Sequence, residues 1–371
     1  MHKKIHIVAF DIPYPPNYGG VIDIYYKCKH LYKLGIKIEL HCFEYGRKRS
    51  VKLEKYCSKI NYYKRKKWVY PFSHIPYIVA SRQSNLLISN LNKDTDPILL
   101  EGLHCAGVLL DKKINPKRCY VRTHNVEHHY YAKLALLSTN FLKKTYYKFA
   151  AKKLAVFENI LTTANGILAI SKADFTHFSK YNKTHWISAF HSSNTVNINK
   201  NIGQYALYHG NLSVEENDNA ACFLAENVFS KVDIPCIISG NGPSKKLLQL
   251  CKNTNITLLS KTSSKKITSL IQNAQINVLI TFQQTGIKLK LLNALFKGKF
   301  CLVNHEMVAD TGLDKLCIIA TDANDMIEKL NELKGKIFSE QEIAIRKELL
   351  SPDFMNNINA EKLVEIIFSS H

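Results

Sequence analysis

The segment from Ile276 to Asn304 shows most clearly how this chain is built, and it reads INVLITFQQTGIKLKLLNALFKGKFCLVN. Its first seven residues form an apolar run of the length expected for a buried strand. A helical pattern of apolar residues follows Gly286, and a second strand-like run occupies residues 300–303. This order predicts strand, helix and strand, the repeating unit of a parallel α/β sheet.

The beginning of this helix is suited to binding phosphate. Lys288 and Lys290 lie two and four residues after Gly286 and would add positive charge to the unpaired N–H groups and the helix dipole. The helix also begins where the preceding strand ends, and open α/β sheets bind ligands at that edge. We therefore predict an anion site here, although two lysines at this spacing can also be ordinary surface charge.

A second segment of the same kind opens the chain. The apolar residues 5–10 run into DIPYPPNYGG at 11–20, and a helix with apolar residues three and four apart follows. Gly19 and Gly20 would let the backbone approach a ligand closely, or they serve only the turn. Two such openings predict two α/β domains.

The rest of the chain continues the alternation of strand and helix. Further strands are predicted at 36–43, 98–101, 120–123, 166–170, 205–208, 236–239 and 256–259. The polar stretch HSSNTVNINKNIGQ at 191–204 interrupts this rhythm, so we predict domains at 1–188 and 205–350 joined by a linker at 189–204. The remaining segment, 351–371, contains a helix that we expect to return to the first domain.

Composition indicates a globular protein of two domains. The chain of 371 residues is longer than a single hydrophobic core usually supports, and its apolar content of 46% is enough to fill two cores. The ten cysteines contain no C-x-x-C pair, which favours free thiols over a disulfide framework or a zinc site. No apolar run approaches the eighteen residues of a membrane-spanning helix. We therefore expect a cytoplasmic protein, and its location could include the inner face of the cytoplasmic membrane.

The positive charge is concentrated in the first half of the chain. Residues 1–185 contain 32 Lys and Arg against 12 Asp and Glu, whereas residues 186–371 contain 19 against 18. Such a surface favours nucleic acid, an anionic membrane or a phosphorylated substrate, and composition does not choose among them. The densest part, from Arg47 to Arg82, mixes basic and aromatic residues, which suits a lipid headgroup layer or a solvated loop.

Five motifs in order resemble those of one enzyme family. They are PPNYGG at 15–20, VRTHNVEHHYY at 121–131, LYHGNLS at 207–213, ISGNGPSKKLL at 238–248 and TGIKLKLLNALFKGKFCLVN at 285–304. Together they resemble the GT-B glycosyltransferases, specifically the family 4 group that acts in bacterial surface-polysaccharide assembly. The resemblance implies two Rossmann-like domains facing across a cleft, with the acceptor bound by the first domain and a nucleotide-sugar by the second.

The resemblance also implies site residues. Its donor-binding positions fall on Gly19, Gly20, Gly210, Asn211, Thr285, Gly286, Ile287, Lys288, Lys290 and Asn293. Its catalytic position falls on His124. Apart from the resemblance, Glu101 at the end of a predicted strand, or Glu127, is a candidate base for the acceptor hydroxyl. His124 would contact the donor sugar, or it caps a turn; the two glutamates would otherwise orient loops.

The chain departs from the family pattern at several of these positions. Thr285 and Asn293 stand where the family has two glutamates, and Asn211 stands where it has an arginine. A lysine that usually follows is missing from SVEENDN at 213–219, which leaves Lys288 and Lys290 as the diphosphate ligands. Neutral groups contribute less to binding than charged ones, so these departures admit an impaired or non-catalytic protein.

The resemblance implies a retaining hexosyltransferase that needs no metal and no cofactor, with mannose from a GDP-sugar, favoured over a UDP-sugar, as the first donor guess. The acceptor would be a lipid-linked or oligosaccharide hydroxyl at an anionic membrane, with no nucleic acid as partner. His124 and His128 flank Glu127, but H-E-x-x-H is absent, and we expect no metal site. The alternatives are another GT-B enzyme such as a nucleotide-sugar epimerase, or a basic protein that binds nucleic acid or another polyanion.

Overall fold

The computed structural model describes residues 3–68, 70, 73–138, 140–252, 254–282 and 288–369. The described chain forms two compact units. Of the described residues, the first domain comprises 3–190 and 356–369, and the second comprises 191–282 and 288–355. Each is a parallel α/β domain with its own apolar core.

The first domain contains a seven-stranded parallel sheet. Its strands are β1 (Lys4–Ala9), β2 (Lys37–Glu44), β3 (Lys59–Lys64), β4 (Ile98–Glu101), β5 (Cys119–Thr123), β6 (Gly166–Ala169) and β7 (Thr184–Trp186). Its helices are α1 (Gly19–Lys33), α2 (Tyr77–Ala80), α3 (Asn85–Leu91), α4 (Glu127–Leu137), α5 (Phe141–Phe157) and α6 (Lys172–Phe178). Short 3₁₀ helices span Val51–Leu53, Leu103–Leu110, Pro116–Arg118 and Glu158–Thr163. The strand order is β3-β2-β1-β4-β5-β6-β7, so the order reverses between β1 and β4.

The second domain contains a six-stranded parallel sheet. Its strands are β8 (Ala206–His209), β9 (Cys236–Ser239), β10 (Ile256–Leu259), β11 (Ile276–Leu279), β12 (Phe300–Asn304) and β13 (Ile318–Ala320). Its helices are α7 (Glu215–Asn227), α8 (Lys245–Leu250), α9 (Ser264–Asn273), α10 (Leu289–Lys297), α11 (His305–Val308), α12 (Ala323–Leu333) and α13 (Glu340–Phe354), with 3₁₀ helices at Phe229–Lys231 and Asp314–Leu316. The order β10-β9-β8-β11-β12-β13 reverses between β8 and β11. Ligands of open α/β sheets bind at such reversals.

The last helix, α14 (Asn356–Phe368), belongs to the first domain, as the sequence predicted. Leu363 and Ile367 are buried in that domain's core. Tyr120 on β5 donates a hydrogen bond of 3.2 Å to the carbonyl oxygen of Ile366. The predicted α/β class and the returning helix are therefore confirmed.

Three strands were not predicted, namely β3, β7 and β13, and each is short or lies at a sheet edge. β3 reads KINYYK, buries only Tyr63 fully, and lies inside the basic segment that was interpreted as a loop or a membrane contact. Lysines on an edge strand discourage pairing with another chain, and they also obscure the apolar pattern.

The segment expected to be a linker packs onto the second domain. Ile198 is buried in the core of that domain, and the Asn197 N–H donates a 2.8 Å hydrogen bond to the Phe296 carbonyl. The observed boundaries are at 190/191 and 355/356. The Asn-rich composition of residues 191–204 gave no sign in the sequence of these few contacts with the second domain.

All ten cysteines are free thiols, and eight of them are buried. In the described part of the chain, no helix has both the length and the apolar character needed to cross a bilayer.

Candidate functional site

His124 and Glu101 lie side by side at the carboxyl ends of two neighbouring strands of the first domain. Glu101 is the last residue of β4, and His124 follows the last residue of β5. His124 Nε2 is 2.9 Å from Glu101 Oε2. The His124 side chain retains 9% exposure, whereas Glu101 is fully buried, so the imidazole is the member of the pair that reaches outward.

Glu101 is the start of a buried chain of charges. Its other oxygen, Oε1, accepts a 2.5 Å hydrogen bond from Lys27 Nζ, which is also 2.9 Å from Asp23. Asp23 in turn pairs with Arg122, whose guanidinium donates to the carbonyl oxygens of Ile187 and Ser188. Burial opposes ionisation of Asp23, but Arg122 and Lys27 outweigh it and hold the pKa of Asp23 below its ordinary value.

This network determines what Glu101 can do. Both carboxylate oxygens already have partners, so Glu101 is placed to orient the His124 ring and to fix its tautomer. The geometry favours this orienting task over proton abstraction from an acceptor. The network also explains why charged residues occur within the apolar pattern of α1 and within β5.

Glu127 is buried at the first turn of α4. Burial raises the pKa of Glu127 to about 8, and the charge of Glu158 adds to the shift. The carboxyl group is therefore mainly protonated at neutral pH and would act as a base only in its minor ionised form. Its Oε1 lies 3.8 Å from His104 Nδ1, a buried nitrogen that has no hydrogen-bond partner among the described residues.

Gly20 lets the first turn of α1 approach these side chains. A Cβ atom at Gly20 would lie 2.4 Å from Cζ of Phe10, whereas one at Gly19 would meet nothing within 4 Å. The Phe10 ring packs against the rings of His104 and His124, with centroids 5.2 and 5.5 Å away. Gly20 is thus required for packing around His124, and Gly19 is not.

In the second domain, two lysines gather at the reversal between β8 and β11. Lys288 is the N-cap residue of α10, and Lys290 lies in its first turn. Lys290 Nζ is 3.2 Å from both Asn217 Oδ1 and the carbonyl oxygen of Ile280. Burial lowers the pKa of Lys290 to about 8; Glu216 opposes this shift and Lys288 adds to it, so the two lysines are close enough to interact.

Lys297 belongs to the same cationic group and His209 lies beside it, and neither residue was predicted. Burial, followed by the charges of Lys290 and Lys297, lowers the pKa of His209 to about 3. Within the described residues, the buried His209 Nε2 has no hydrogen-bond partner. The sequence did contain a signal, since Lys290, Asn293 and Lys297 follow the three-then-four spacing of one helix face. We call Lys288, Lys290 and Lys297 the α10 cationic cluster; His209 lies against it and is neutral at pH 7.

The loops after β8 and β9 pack closely together beside this cluster. A Cβ atom at Gly240 would lie 1.8 Å from the carbonyl oxygen of Gly210, and one at Gly242 would lie 2.2 Å from Ser213 Oγ. Gly210 itself packs on Asn217. Asn211 is used within its turn, where its Oδ1 accepts from the Ser213 N–H at 3.2 Å.

The remaining predicted donor residues differ in what the structure describes. Asn293 Oδ1 accepts a 2.9 Å hydrogen bond from Ser192 Oγ, which also lies 3.3 Å from Lys297 Nζ. Thr285, Gly286 and Ile287 lie outside the described residues. The structure thus brings Lys288, Lys290 and Asn293 together on one helix, and Glu101, Glu127 and His124 together at one sheet edge.

Solved structures with a similar architecture include a sucrose-phosphate synthase and a glycosyltransferase. Sucrose-phosphate synthase from Thermosynechococcus elongatus superposes with a TM-score of 0.70 and 10% identity, covering all of both chains. A glycosyltransferase from Rickettsia africae gives a TM-score of 0.64 and 12% identity, covering all of this chain and 98% of its own. The chain has the GT-B fold. At such identities the likeness shows the GT-B fold alone.

A curated relative is 24% identical over 405 residues, covering 99% of this chain and all of its own. It is described as an uncharacterized 44.6 kDa protein in the cps region of Klebsiella pneumoniae. No family model matches this GT-B chain.

Proposed function

We propose that the protein is a hexosyltransferase that moves a sugar from a nucleotide-sugar to a hydroxyl of a glycan. The observation that supports this most strongly is the α10 cationic cluster, which stands at the sheet reversal of a GT-B second domain. Positive side chains and a helix N-terminus at that position suit the diphosphate of a nucleotide-sugar.

The same cluster suits the chemistry of transfer. When the bond between sugar and nucleotide breaks, negative charge grows on the diphosphate that leaves. Lys288 and Lys290 are fixed near that charge before it develops, which stabilises the transition state more than it does the substrate. Lys290 is already held by Asn217 and the Ile280 carbonyl, so little ordering is needed on binding. We propose that this charge stabilisation takes place without a metal ion.

The first domain would receive the acceptor, and His124 would act on the transferred sugar. The contact with Glu101 fixes the orientation of the His124 ring, so its reach does not depend on the substrate. Glu127 remains a candidate base for the acceptor hydroxyl. We further propose retention of configuration and mannose from a GDP-sugar as the first donor to test.

The acceptor is proposed to be a lipid-linked glycan of surface-polysaccharide assembly. The relative in a cps region supports the polysaccharide assignment. An exposed surface on the first domain supports the lipid: α4 and α5 form a hairpin whose connected ends expose Leu136, Leu137, Phe141 and Leu142. The lysines that follow on α5 are Lys143, Lys144, Lys148, Lys152 and Lys153. We call these nine residues the hairpin surface.

The hairpin surface adjoins the basic and aromatic segment noted in the sequence. Lys153 donates a 2.9 Å hydrogen bond to the Ser73 carbonyl, and the Arg65 guanidinium stacks on the rings of Tyr45 and Tyr77. Trp68 is 92% exposed. Apolar side chains surrounded by lysines fit an anionic bilayer, in which rings and leucines enter the boundary while ammonium groups meet phosphates. Phe72, another aromatic residue of this segment, lies outside the described residues.

A donor panel tests the proposed activity. Thermal shift with GDP-, UDP- and dTDP-sugars should identify one nucleotide that stabilises the protein, since a ligand that binds only the folded state raises its stability. Mass spectrometry should then detect a glycan extended by one hexose when a lipid-linked acceptor is added.

Other results would contradict the proposal. An epimerase would convert the sugar-nucleotide with no acceptor present. A nucleic-acid-binding protein would ignore every sugar-nucleotide and bind polyanions with an affinity that falls steeply with salt.

A further inference from the structure

A cluster of histidines around one buried carboxylate lies at the base of the α4–α5 hairpin. Glu158, the residue after α5, is fully buried. His128 Nδ1 is 2.7 Å from its Oε1, and His177 Nε2 is 3.0 Å from its Oε2. The Tyr181 hydroxyl donates to Oε2 at 3.1 Å. A third imidazole, that of His129, has its ring centroid 4.2 Å from that of His128 and 5.3 Å from that of His177.

Among the described residues, four groups of histidine and carboxylate are close enough to share an ion, and this one differs from the others in charge. In two of them, Glu39 already pairs with Lys59 and Asp94 with Lys4. In the third, Glu101 pairs with Lys27. A lysine therefore already supplies positive charge to each of those groups.

Glu158 receives no such compensation. Its ion-pair partners recorded among the described residues are the two histidines, which are uncharged unless protonated. A buried carboxylate without a fixed cation is costly. A divalent ion would supply the missing charge and would take the two imidazole nitrogens as neutral ligands.

The geometry points to a zinc-class ion bound by His128, Glu158 and His177, with a fourth position open to water beside the ring of His129. The three ligand atoms lie within 4.8 Å of one another, and bonds of about 2.0–2.2 Å around a tetrahedral ion require separations of about 3.4 Å. The two imidazole nitrogens are 2.7 and 3.0 Å from different oxygens of Glu158, so a small outward movement of both rings makes room for the ion. Tyr181 already supplies the outer hydrogen bond that orients such a carboxylate ligand.

The position of the ligands indicates a structural task. His128 comes from the first turn of α4, Glu158 from the 3₁₀ helix that follows α5, and His177 from α6. The ion would join the start of α4 to the end of α5, which pins the hairpin at its base and leaves its connected ends exposed. Sequence motifs miss such a site because its three ligands come from separate segments.

Both histidines remain within reach of solvent, with side chains 19% and 13% exposed, so an ion can enter without unfolding the domain. The proposed ion would stabilise the α4–α5 hairpin and would take no part in sugar transfer. It stands independently of the proposed function.

Metal titration of the full chain tests the proposal. After treatment with a chelator, the protein is titrated with Co²⁺, and then with Zn²⁺ as competitor. We expect one equivalent of Co²⁺ to bind with the intense visible absorption of a four- or five-coordinate ion, and Zn²⁺ to displace it. Zn²⁺ should also raise the melting temperature.

The variants are His128→Gln and His177→Gln, each of which keeps a hydrogen-bond donor for Glu158, and the matched control is His305→Gln, an exposed histidine of the second domain. Each of the first two should lose at least about tenfold in Zn²⁺ affinity and lose the thermal shift, whereas the control should retain both. Melting without metal verifies that all three variants are folded.

Hydrogen exchange supplies a second readout, since Zn²⁺ should increase amide protection in α4 and α5 of the unchanged protein but not of the His128→Gln variant. Weak octahedral Co²⁺ absorption, or Zn²⁺ binding equal in all variants, would overturn the proposal.

Discussion

The protonation state of individual side chains in this protein depends on burial as much as on residue type. Lys290 shows this best, because desolvation brings its pKa to about 8 while Asn217 and a backbone carbonyl hold its ammonium group. Lys290 is mainly charged at pH 7 and loses its charge as the pH rises through about 8. Its attraction for a diphosphate should therefore be present below that pH and decline above it.

Replacement of Lys290 measures this attraction. Lys290→Met should weaken binding of the preferred nucleoside diphosphate about tenfold to a hundredfold, the contribution expected from a charged hydrogen bond. Isothermal titration calorimetry between about pH 6.5 and 9.5 should show wild-type affinity falling above pH 8, and Lys290→Arg should remove that fall because arginine stays charged. Lys347→Met on α13 is exposed and serves as the control. Unchanged affinity in Lys290→Met would refute the assignment.

Sequence reasoning located several of these side chains but not their pairings. His124 and Glu101 could be placed at neighbouring strand ends, because apolar runs mark where β4 and β5 stop. The contact of Glu101 with Lys27 joins residues 74 positions apart, and no local pattern encodes it. The lowered pKa of His209 likewise depends on its burial, and the burial of an individual side chain cannot be read from a single sequence.

Helices and strands whose apolar residues recur at regular spacing along one buried face were predictable from the sequence. Elements that lack this regular spacing were not. The helices α1 and α10 each follow a buried apolar strand, so their positions followed from the sequence. The edge strand β3 has a single fully buried residue, and α5 buries only Leu154 and Phe157 along its 17 residues. Four other large apolar side chains of α5 are exposed, which departs from the usual amphipathic pattern; they are Phe141, Leu142, Phe149 and Val156.

The first turn of α1 offers a matched pair of substitutions. Gly20→Ala should destabilise the protein by about 1–3 kcal/mol, because the added methyl group displaces Phe10 from a packed position. Gly19→Ala should be neutral or stabilising by up to about 1 kcal/mol, since open space surrounds it and alanine favours helix. Urea unfolding measures both, and equal effects would argue against the packing explanation.

The net charge of the whole molecule is unevenly distributed, because residues 1–185 carry nearly all of the net charge of +21. Combined with the hairpin surface, this predicts selective binding to vesicles that contain an anionic lipid over neutral ones. Added salt should weaken the binding, because the Debye length shrinks to about 3 Å at 1 M.

Cosedimentation with vesicles provides the measurement. The double variant Phe141→Ser, Leu142→Ser should bind anionic vesicles more than about tenfold less tightly, because burying each side chain contributes about 1.5–3 kcal/mol. The control is Ile337→Ser, a residue of the second domain that is 67% exposed. If the double variant and the control bound equally, the hairpin surface would not be the docking site.

The return of α14 to the first domain has a consequence for how the protein is made. Residues 3–190 leave the ribosome long before 356–369, so the apolar groove that Ala360, Leu363 and Ile367 fill stays uncovered while the whole second domain is translated. Domains generally fold as units during synthesis. Here the second domain can complete its core first, and the N-terminal domain becomes complete only after the final helix is released.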